Sequence, residues 1–419
     1  MPNGRSVGIV LYSSRFATLP MRFAIFHWIL CVWVLWRFVL PLDVGRAAKA
    51  AIAAFTVLCA SFSTITVFFF GGLVSPELPR WAIIAGNFVE ACLLFLAGLT
   101  LLREAVILAA VLAGRRGARM HQAVQKDRRT ALGLAAAGLY GGVKLPEVRE
   151  HAAYIPNLPA ALEGFSFVQL SDLHCSALLT ARHTEAVVER INALQPSLVL
   201  ITGDIVDGVV ERRLADVAPL AKLRAPLGVF GCDGNHEHYG PYSDWKLEFA
   251  RLGIRMLRNE HAILEVERPA GRAKICLAGV CDPMAARFGR ELPDVKKAFA
   301  GAPAPEAALR ILMAHQPKPF DRYRAEAPFA LQLSGHTHGG QLVFMDRFVG
   351  IMNGTYVRGF YQAPEGPLLY VHPGSGLWNG FPLRLGVPSE IALIRLTGDP
   401  KAAEGYGQSR VLSMQEARR

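Results

Sequence analysis

Two histidines one residue apart, His336 and His338, stand in the stretch Ser334-Gly-His-Thr-His-Gly-Gly-Gln341. Imidazole is the commonest protein metal ligand, and flanking glycines let the backbone turn tightly and another body come close. The apolar run before them, residues 329–333, reads as a strand. The arrangement recurs along the chain. Asp172 and His174 follow the run 165–170, Asp204 follows 197–202, Asn235 and His236 follow 228–232, and His315 follows 309–314. In α/β folds, ligands bind beyond the carboxyl ends of strands. Carboxylates, imidazoles and one amide oxygen, without thiolate, suit Mn²⁺, Fe or Zn²⁺ at a reactive site rather than a structural zinc. Asp172, His174, Asp204, Asn235, His315, His336 and His338 exceed the needs of one cation. Two divalent cations sharing one carboxylate would use them all.

In order, Asp172-Leu-His174, Gly203-Asp204-Ile-Val-Asp207, Gly234-Asn235-His236-Glu237, His315 and Gly335-His336-Thr-His338 resemble the motifs of the calcineurin-like metallophosphoesterases. Ala314-His315-Gln-Pro, taken with the glycine-rich histidine pair, resembles the membrane-attached subgroup, the transmembrane metallophosphoesterase-domain proteins and their exported bacterial relatives. The resemblance covers about residues 165–345. It implies an α/β fold, a four-layer α-β-β-α sandwich of two mixed sheets. It implies Asp172, His174 and His338 on one metal, Asn235, His315 and His336 on the second, and Asp204 between them. The reaction it implies is hydrolysis of a phosphate mono- or diester, lipid-linked or not, by a hydroxide the two metals share. His236 follows a ligand without being one. It is the natural general acid for the leaving oxygen or a donor to the phosphoryl group. Glu237 or Asp207 would orient it, or each would make a purely structural hydrogen bond. Relatives acting on UDP-diacylglucosamine offer a pyrophosphate substrate as an alternative. A non-enzymatic metal-binding membrane sensor or scaffold is a further alternative, disfavoured because no ligand of the set is missing.

Other residues carry less. His238 reads as a surface histidine rather than one facing substrate, and His372 as a structural histidine rather than one lining the pocket. Arg287 would meet a phosphate or stay solvated, and Cys175 and Cys232 read as packing residues. The segment 344–362, rich in glycine and aromatics, borders the pocket and touches lipid, or packs on its own domain.

The chain that must hold these residues has 419 of them, 52% hydrophobic, with mean hydropathy +0.27 and net charge +11. Residues 1–150 carry 16 Lys/Arg against 7 Asp/Glu; the rest carries 29 against 27. The basic excess thus lies among the apolar runs, where it suits anionic headgroups and argues against nucleic acid. No protein partner can be inferred. Seven cysteines, scattered and without a C-x-x-C pair, indicate neither a zinc ribbon nor a disulfide framework, and a Cys276–Cys281 bridge is disfavoured.

Four apolar stretches, 23–42, 47–70, 81–102 and 130–146, predict a helical membrane region over 1–146, with the fourth the weakest. Glu90 within the third reads as a polar contact between helices rather than a functional acid. A linker over 147–164, a phosphoesterase domain over 165–400 and a tail over 401–419 follow. With four spans, the loops 43–49 and 114–130 hold eight basic residues against four on the other side. That places the 114–130 loop in the cytoplasm and the catalytic domain outside it, on an integral membrane protein of a bacterial plasma membrane.

Overall fold

A computed structural model of the chain describes residues 18–70, 75–112, 123–363, 366–405 and 410–411. Arg115, Arg116 and Arg119 of the basic loop, and most of the C-terminal tail, lie outside the described residues. Contacts divide the chain into two units, residues 1–139 with 379–381, and 140–378 with 382–419.

The first unit is helical: α1 (Thr18–Val34), α2 (Arg46–Phe69), α3 (Arg80–Leu112) and most of α4 (Ala123–Val143). Among the described residues, Arg46–Phe69 and Arg80–Ala109 are long and apolar enough to cross a membrane, and Ala24–Val39 is a shorter apolar helix. Small and branched residues, among them Cys31, Val34, Ala60, Leu93 and Ala97, fill the space between helices. Phe55, Leu58, Phe68, Leu102 and Val106 face outward, where a helix in water would place polar groups. The few polar side chains inside find partners. Glu90 accepts from the Ser63 amide at 2.9 Å and lies 3.9 Å from His27, so it is a contact between helices. Arg37 pairs with Glu104.

The second unit holds two mixed sheets. Chain order runs β1 (Glu147–Tyr154), β2 (Ser166–Leu170), α5 (Ala181–Ala193), β3 (Val199–Thr202), α6 (Val210–Val217), β4 (Val229–Cys232), α7 (Tyr242–Arg251) and β5 (Ile254–Met256). It continues with β6 (Glu260–Arg268), β7 (Gly271–Gly279), α8 (Val295–Ala298), β8 (Leu309–Met313), α9 (Phe320–Glu326), β9 (Leu331–Ser334) and α10 (Asp346–Met352). β10 (Gly359–Gln362), β11 (Leu368–Val371), β12 (Glu390–Thr397), α11 (Pro400–Gly405) and β13 (Arg410–Val411) complete it. The strand orders are β13-β1-β12-β2-β3-β4-β5 and β10-β11-β9-β8-β7-β6. β2, β3 and β4 run parallel in the first sheet, and β8 and β9 run parallel in the second.

Alternation along each strand sorts the core. Phe167, Leu200 and Phe230 from the first sheet share one apolar cluster with Leu264, Leu277, Ile311, Leu333 and Tyr370 from the second. Val168, Leu170 and Ile201 point the other way, onto Val187, Ile191, Trp245 and Phe249 of α5 and α7. On the far face of the second sheet, Cys276, Leu312 and Leu369 meet Val295, Phe320 and Tyr323. Each fully buried large side chain contributes about 1.5–3 kcal/mol.

The stretch 147–164 is not a simple linker, because its first eight residues are β1, hydrogen-bonded to β12 over the full length of both strands. Its charged residues are compensated across the sheet: Glu150 accepts from Arg395 at 2.8 Å, and His151 meets Glu390 at 3.1 Å. Tyr370 of the second sheet also donates to Glu390, so this buried trio ties the sheets together. Burial opposes ionisation of Glu390, but the hydrogen bonds from His151 and Tyr370 outweigh it and hold the carboxyl at about 2. A carboxyl depressed in the folded state stabilises above its ordinary value near 4.5, and that contribution is lost as pH falls from there toward 2. It amounts to about 3 kcal/mol. The melting temperature of Glu390→Gln should therefore start lower at neutral pH and fall less than the parent's on acidification. Parallel melting curves across that range would contradict the assignment.

Candidate metal centre

The ligand-bearing turns all leave the carboxyl ends of parallel strands. β2 delivers Asp172 and His174, β3 Asp204, β4 Asn235 and His236, β8 His315, and β9 His336 and His338. The two sheets therefore bring five chain segments to one rim. Asp172, His174, Asp204, His336 and His338 all have left-handed backbones, with φ between 46° and 71°. That region is costly for side-chain-bearing residues and persists only where surrounding structure enforces it, commonly at functional sites. Close approach requires glycine nearby. A Cβ on Gly335 would stand 1.8 Å from Ser171 Oγ, and one on Gly234 would stand 2.3 Å from Asp204 Oδ1.

Seven donor side chains meet in two groups. In the first, His174 Nε2 lies 3.2 Å from His338 Nε2, which lies 3.5 Å from Asp172 Oδ1. In the second, Asn235 Oδ1 lies 2.8 Å from His336 Nδ1 and 3.2 Å from His315 Nε2. Asp204 Oδ2 reaches both, 3.8 Å from His174 Nε2 and 3.2 Å from His315 Nε2. Donors that share a cation at about 2.1 Å stand roughly 3.0–3.4 Å apart, so this spacing fits.

Hydrogen bonds behind the ring fix which atoms face in. His174 Nδ1 donates to Asp207 Oδ1 at 2.9 Å, and His315 Nδ1 donates to the Thr202 carbonyl at 2.7 Å. In the neutral ring both Nε2 lone pairs then point at other acceptors, a repulsive arrangement that a cation between them relieves. Tyr239 Oη accepts from Asn235 Nδ2 at 3.0 Å, which turns the amide oxygen inward.

Electrostatics agree with this donor set. Asp204 is buried, which favours protonation, but the His315, His236 and His174 imidazoles hold its carboxyl well below the usual range. Burial, helped by the nearby His315, lowers His336 to about 3; burial and His174 likewise keep His338 neutral. Neutral imidazole is the ligating form. Burial lowers His315, yet Asp204 overrides it and favours a positive charge there; a cation supplies that charge as well as a proton does.

His236 stands beside the ring. Its Nδ1 donates to Asp207 Oδ1 at 2.7 Å, and its Nε2 lies 3.9 Å from Asp204 Oδ2. Burial disfavours the imidazolium, but Asp204 and Asp207 overcome it and raise His236 to about 9. One oxygen of Asp207 thus orients both His174 and His236. Glu237 has a different task. It accepts from the amides of Asp204, Ile205 and Gly234 at 3.0, 2.6 and 2.7 Å, and so shapes the turn that presents Asp204.

Among the lesser candidates, His238 is fully buried rather than on the surface, held between Asp233 and Arg290. The surface expectation failed because the ring is held on one side by Asp233 and on the other by Arg290, 52 positions away. His372 is buried, and its Nδ1 accepts from the Gly374 amide. Arg287 is exposed. All seven cysteines are free, Cys276 and Cys281 included, and Cys175 and Cys232 pack in the core.

Sequence reasoning missed Arg384. It is 2% exposed, and its guanidinium donates to the carbonyls of His338, Pro373, Gly374, Gly376 and Val387 at 2.7–3.4 Å. It stitches the turn carrying His338 to residues 373–376, whose Ser375 and Gly376 amides bind the carbonyls of Ser171 and Asp172. Nothing in Pro382-Leu-Arg384-Leu marks it from sequence.

Residues 165–340 match a family profile described as calcineurin-like phosphoesterase. The chain is 35% identical over 268 residues to a zebrafish (Danio rerio) transmembrane protein with metallophosphoesterase domain, covering 63% of this chain and 60% of that protein. It therefore spans less than two thirds of that relative. It is 34% identical to an uncharacterized metallophosphoesterase of Helicobacter pylori over 63% of this chain and 68% of that one. A Bos taurus transmembrane protein with metallophosphoesterase domain is 31% identical over 84% of this chain and 81% of its own length. That share exceeds the catalytic unit, so the likeness reaches into the helical one. The solved 5'-nucleotidase precursor of Thermus thermophilus overlaps with a TM-score of only 0.37, at 15% identity over 57% of this chain and 55% of that one. The family assignment therefore rests on the sequence relatives. On those relatives and its ordered ligand motifs, the chain belongs to the calcineurin-like phosphoesterases, a family of metal-dependent phosphoric ester hydrolases.

Proposed function

We propose that the second unit hydrolyses a phosphate mono- or diester at a centre of two divalent cations, Mn²⁺, Fe or Zn²⁺, on a chain anchored in a membrane. One observation carries the reading: Asp204 Oδ2 stands between two three-residue donor groups. Asp172, His174 and His338 would hold one cation, Asn235, His315 and His336 the other, with Asp204 common to both. Bound there, the pair would supply an acidified water and an electrophilic clamp on the phosphoryl oxygens.

The chain's own residues do the rest. Asp207 holds the Nδ1 proton of His236, so Nε2 faces the reacting group. When protonated, His236 can donate its Nε2 proton to the departing oxygen, or a hydrogen bond to the phosphoryl group. Glu237 and Tyr239 keep Asp204 and Asn235 aimed inward. The three apolar clusters support a four-layer α-β-β-α arrangement. Two helices of crossing length and a shorter apolar one support a membrane region, and the charge of its loops supports an extracytoplasmic catalytic unit in a plasma membrane. A phosphoester carried on a lipid suits such a tether.

Treating the purified full chain with a chelator should abolish turnover of bis-p-nitrophenyl phosphate, and Mn²⁺ should restore it with about two metal equivalents bound. Turnover that survives complete metal removal would refute the reading. Two bound equivalents with no turnover of any phosphoester would favour a metal-binding scaffold instead.

A further inference from the structure

α10 turns its apolar side outward. Phe348 and Ile351, three apart on the helix, are 58% and 80% exposed, with Met352 beside them and Val343 and Phe344 exposed in the turn just before. The other large exposed apolar side chains of the catalytic unit, such as Leu214, Leu247 and Leu292, lie on separate elements. Contiguous apolar patches on soluble surfaces mark a contact with something else. Arg347 shares the exposed face, and with Ile351, Thr355, Val357, Arg358 and Tyr361 it lines a groove of about 630 Å³.

The same segment is locked to the metal-ligand turn. Arg358 donates to the Gly339 carbonyl at 2.7 Å and pairs with Asp346 at 2.6 Å. Thr337, between the two candidate ligands His336 and His338, donates to the Val357 carbonyl at 2.6 Å. Whatever the patch rests on is thereby held at a fixed offset from the donor ring.

We propose that residues 343–352 seat, apolar side first, in the headgroup region of an anionic phospholipid bilayer, so that the metal-ligand turn works at a lipid surface. Aromatic and aliphatic side chains on one face, with arginine beside them, are the composition of an interfacial helix. Arg347, exposed on that face, complements anionic headgroups. The same chain carries two helices long and apolar enough to cross a bilayer. The inference rests on the phosphoesterase reading and narrows its substrate class to phosphoesters presented at headgroup level.

The test uses the full chain in nanodiscs of phosphatidylcholine and phosphatidylglycerol. A nitroxide is attached at Phe344→Cys, at Ile351→Cys and, as a control on another face, at Leu247→Cys. The native cysteines are buried or half-buried, so the label goes to the introduced one. The expected result is a ratio of oxygen to aqueous nickel-chelate collisions several-fold higher at 344 and 351 than at 247. Equal, water-like collisions at all three sites would overturn the proposal. So would low rates for both colliders at 344 and 351, which would mean that protein covers the patch. Turnover of bis-p-nitrophenyl phosphate is followed on the parent and the labelled chains. An inactive parent sinks the phosphoesterase reading, whereas an active chain with a water-exposed label sinks only the docking.

Discussion

Asp204→Asn should nearly silence the enzyme while leaving it folded. The substitution keeps the shape of the side chain, and its carbonyl oxygen can still accept from the His236 amide, which meets Asp204 Oδ1 at 2.8 Å. What it removes is the negative oxygen that faces His174 Nε2 and His315 Nε2 together. An amide oxygen is a poor bridge between two cations, and its NH₂ would donate to the Nε2 lone pairs of His174 and His315, which should face the metals. Loss of a partner outside the ligand ring typically costs roughly 10- to 100-fold in metal affinity or activity. Loss of the shared ligand should exceed that, and bound metal should fall from about two equivalents to one or fewer. A variant with turnover within tenfold of the parent and full metal content would show that Asp204 is not the bridge.

Asp207→Asn should be nearly as damaging, although Asp207 touches neither substrate nor metal in this reading. Its Oδ1 accepts from Nδ1 of both His174 and His236. Asparagine loses the charge and can turn its NH₂ toward the rings. The His174 ring can then carry its proton on Nε2, the wrong nitrogen for a ligand, and His236 loses the acceptor that orients it. The expectation is a loss of roughly 10- to 100-fold in metal affinity together with a lower kcat. A merely structural role would lower the melting temperature without moving the metal titration, and that outcome would remove Asp207 from the machinery.

The site was legible because its residues sit in local words of two to five letters. Each word follows an apolar strand, and strand ends are where an α/β sheet presents ligands. Partners distant in sequence were not legible. Glu147-Val-Arg-Glu-His-Ala-Ala-Tyr154 looks like a polar connector until Glu150 and His151 are seen to be answered by Arg395 and Glu390. Arg384 reads as an ordinary surface arginine because its partners are backbone carbonyls, which leave no trace in side-chain identity. His238 was misplaced for a similar reason: Arg290, which helps hold its ring, lies 52 positions away. Short helices such as Phe320–Glu326 lack the length for a periodicity to show.

The position of β12 carries a consequence for how the protein comes into being. This strand separates β1 from β2 in the first sheet, yet it is made some 220 residues after β2. Until it leaves the ribosome, β1 has no neighbour already synthesised, and β2 keeps one bare edge. Such edges invite mispairing in a nascent polypeptide. The Ser375 hydroxyl beside the Asp172 turn also waits for the Glu390 carbonyl, which it meets at 2.8 Å. Cation capture should therefore be a late, largely post-translational event. A premature stop near residue 388 would abolish ion binding by aspartates encoded about two hundred codons earlier.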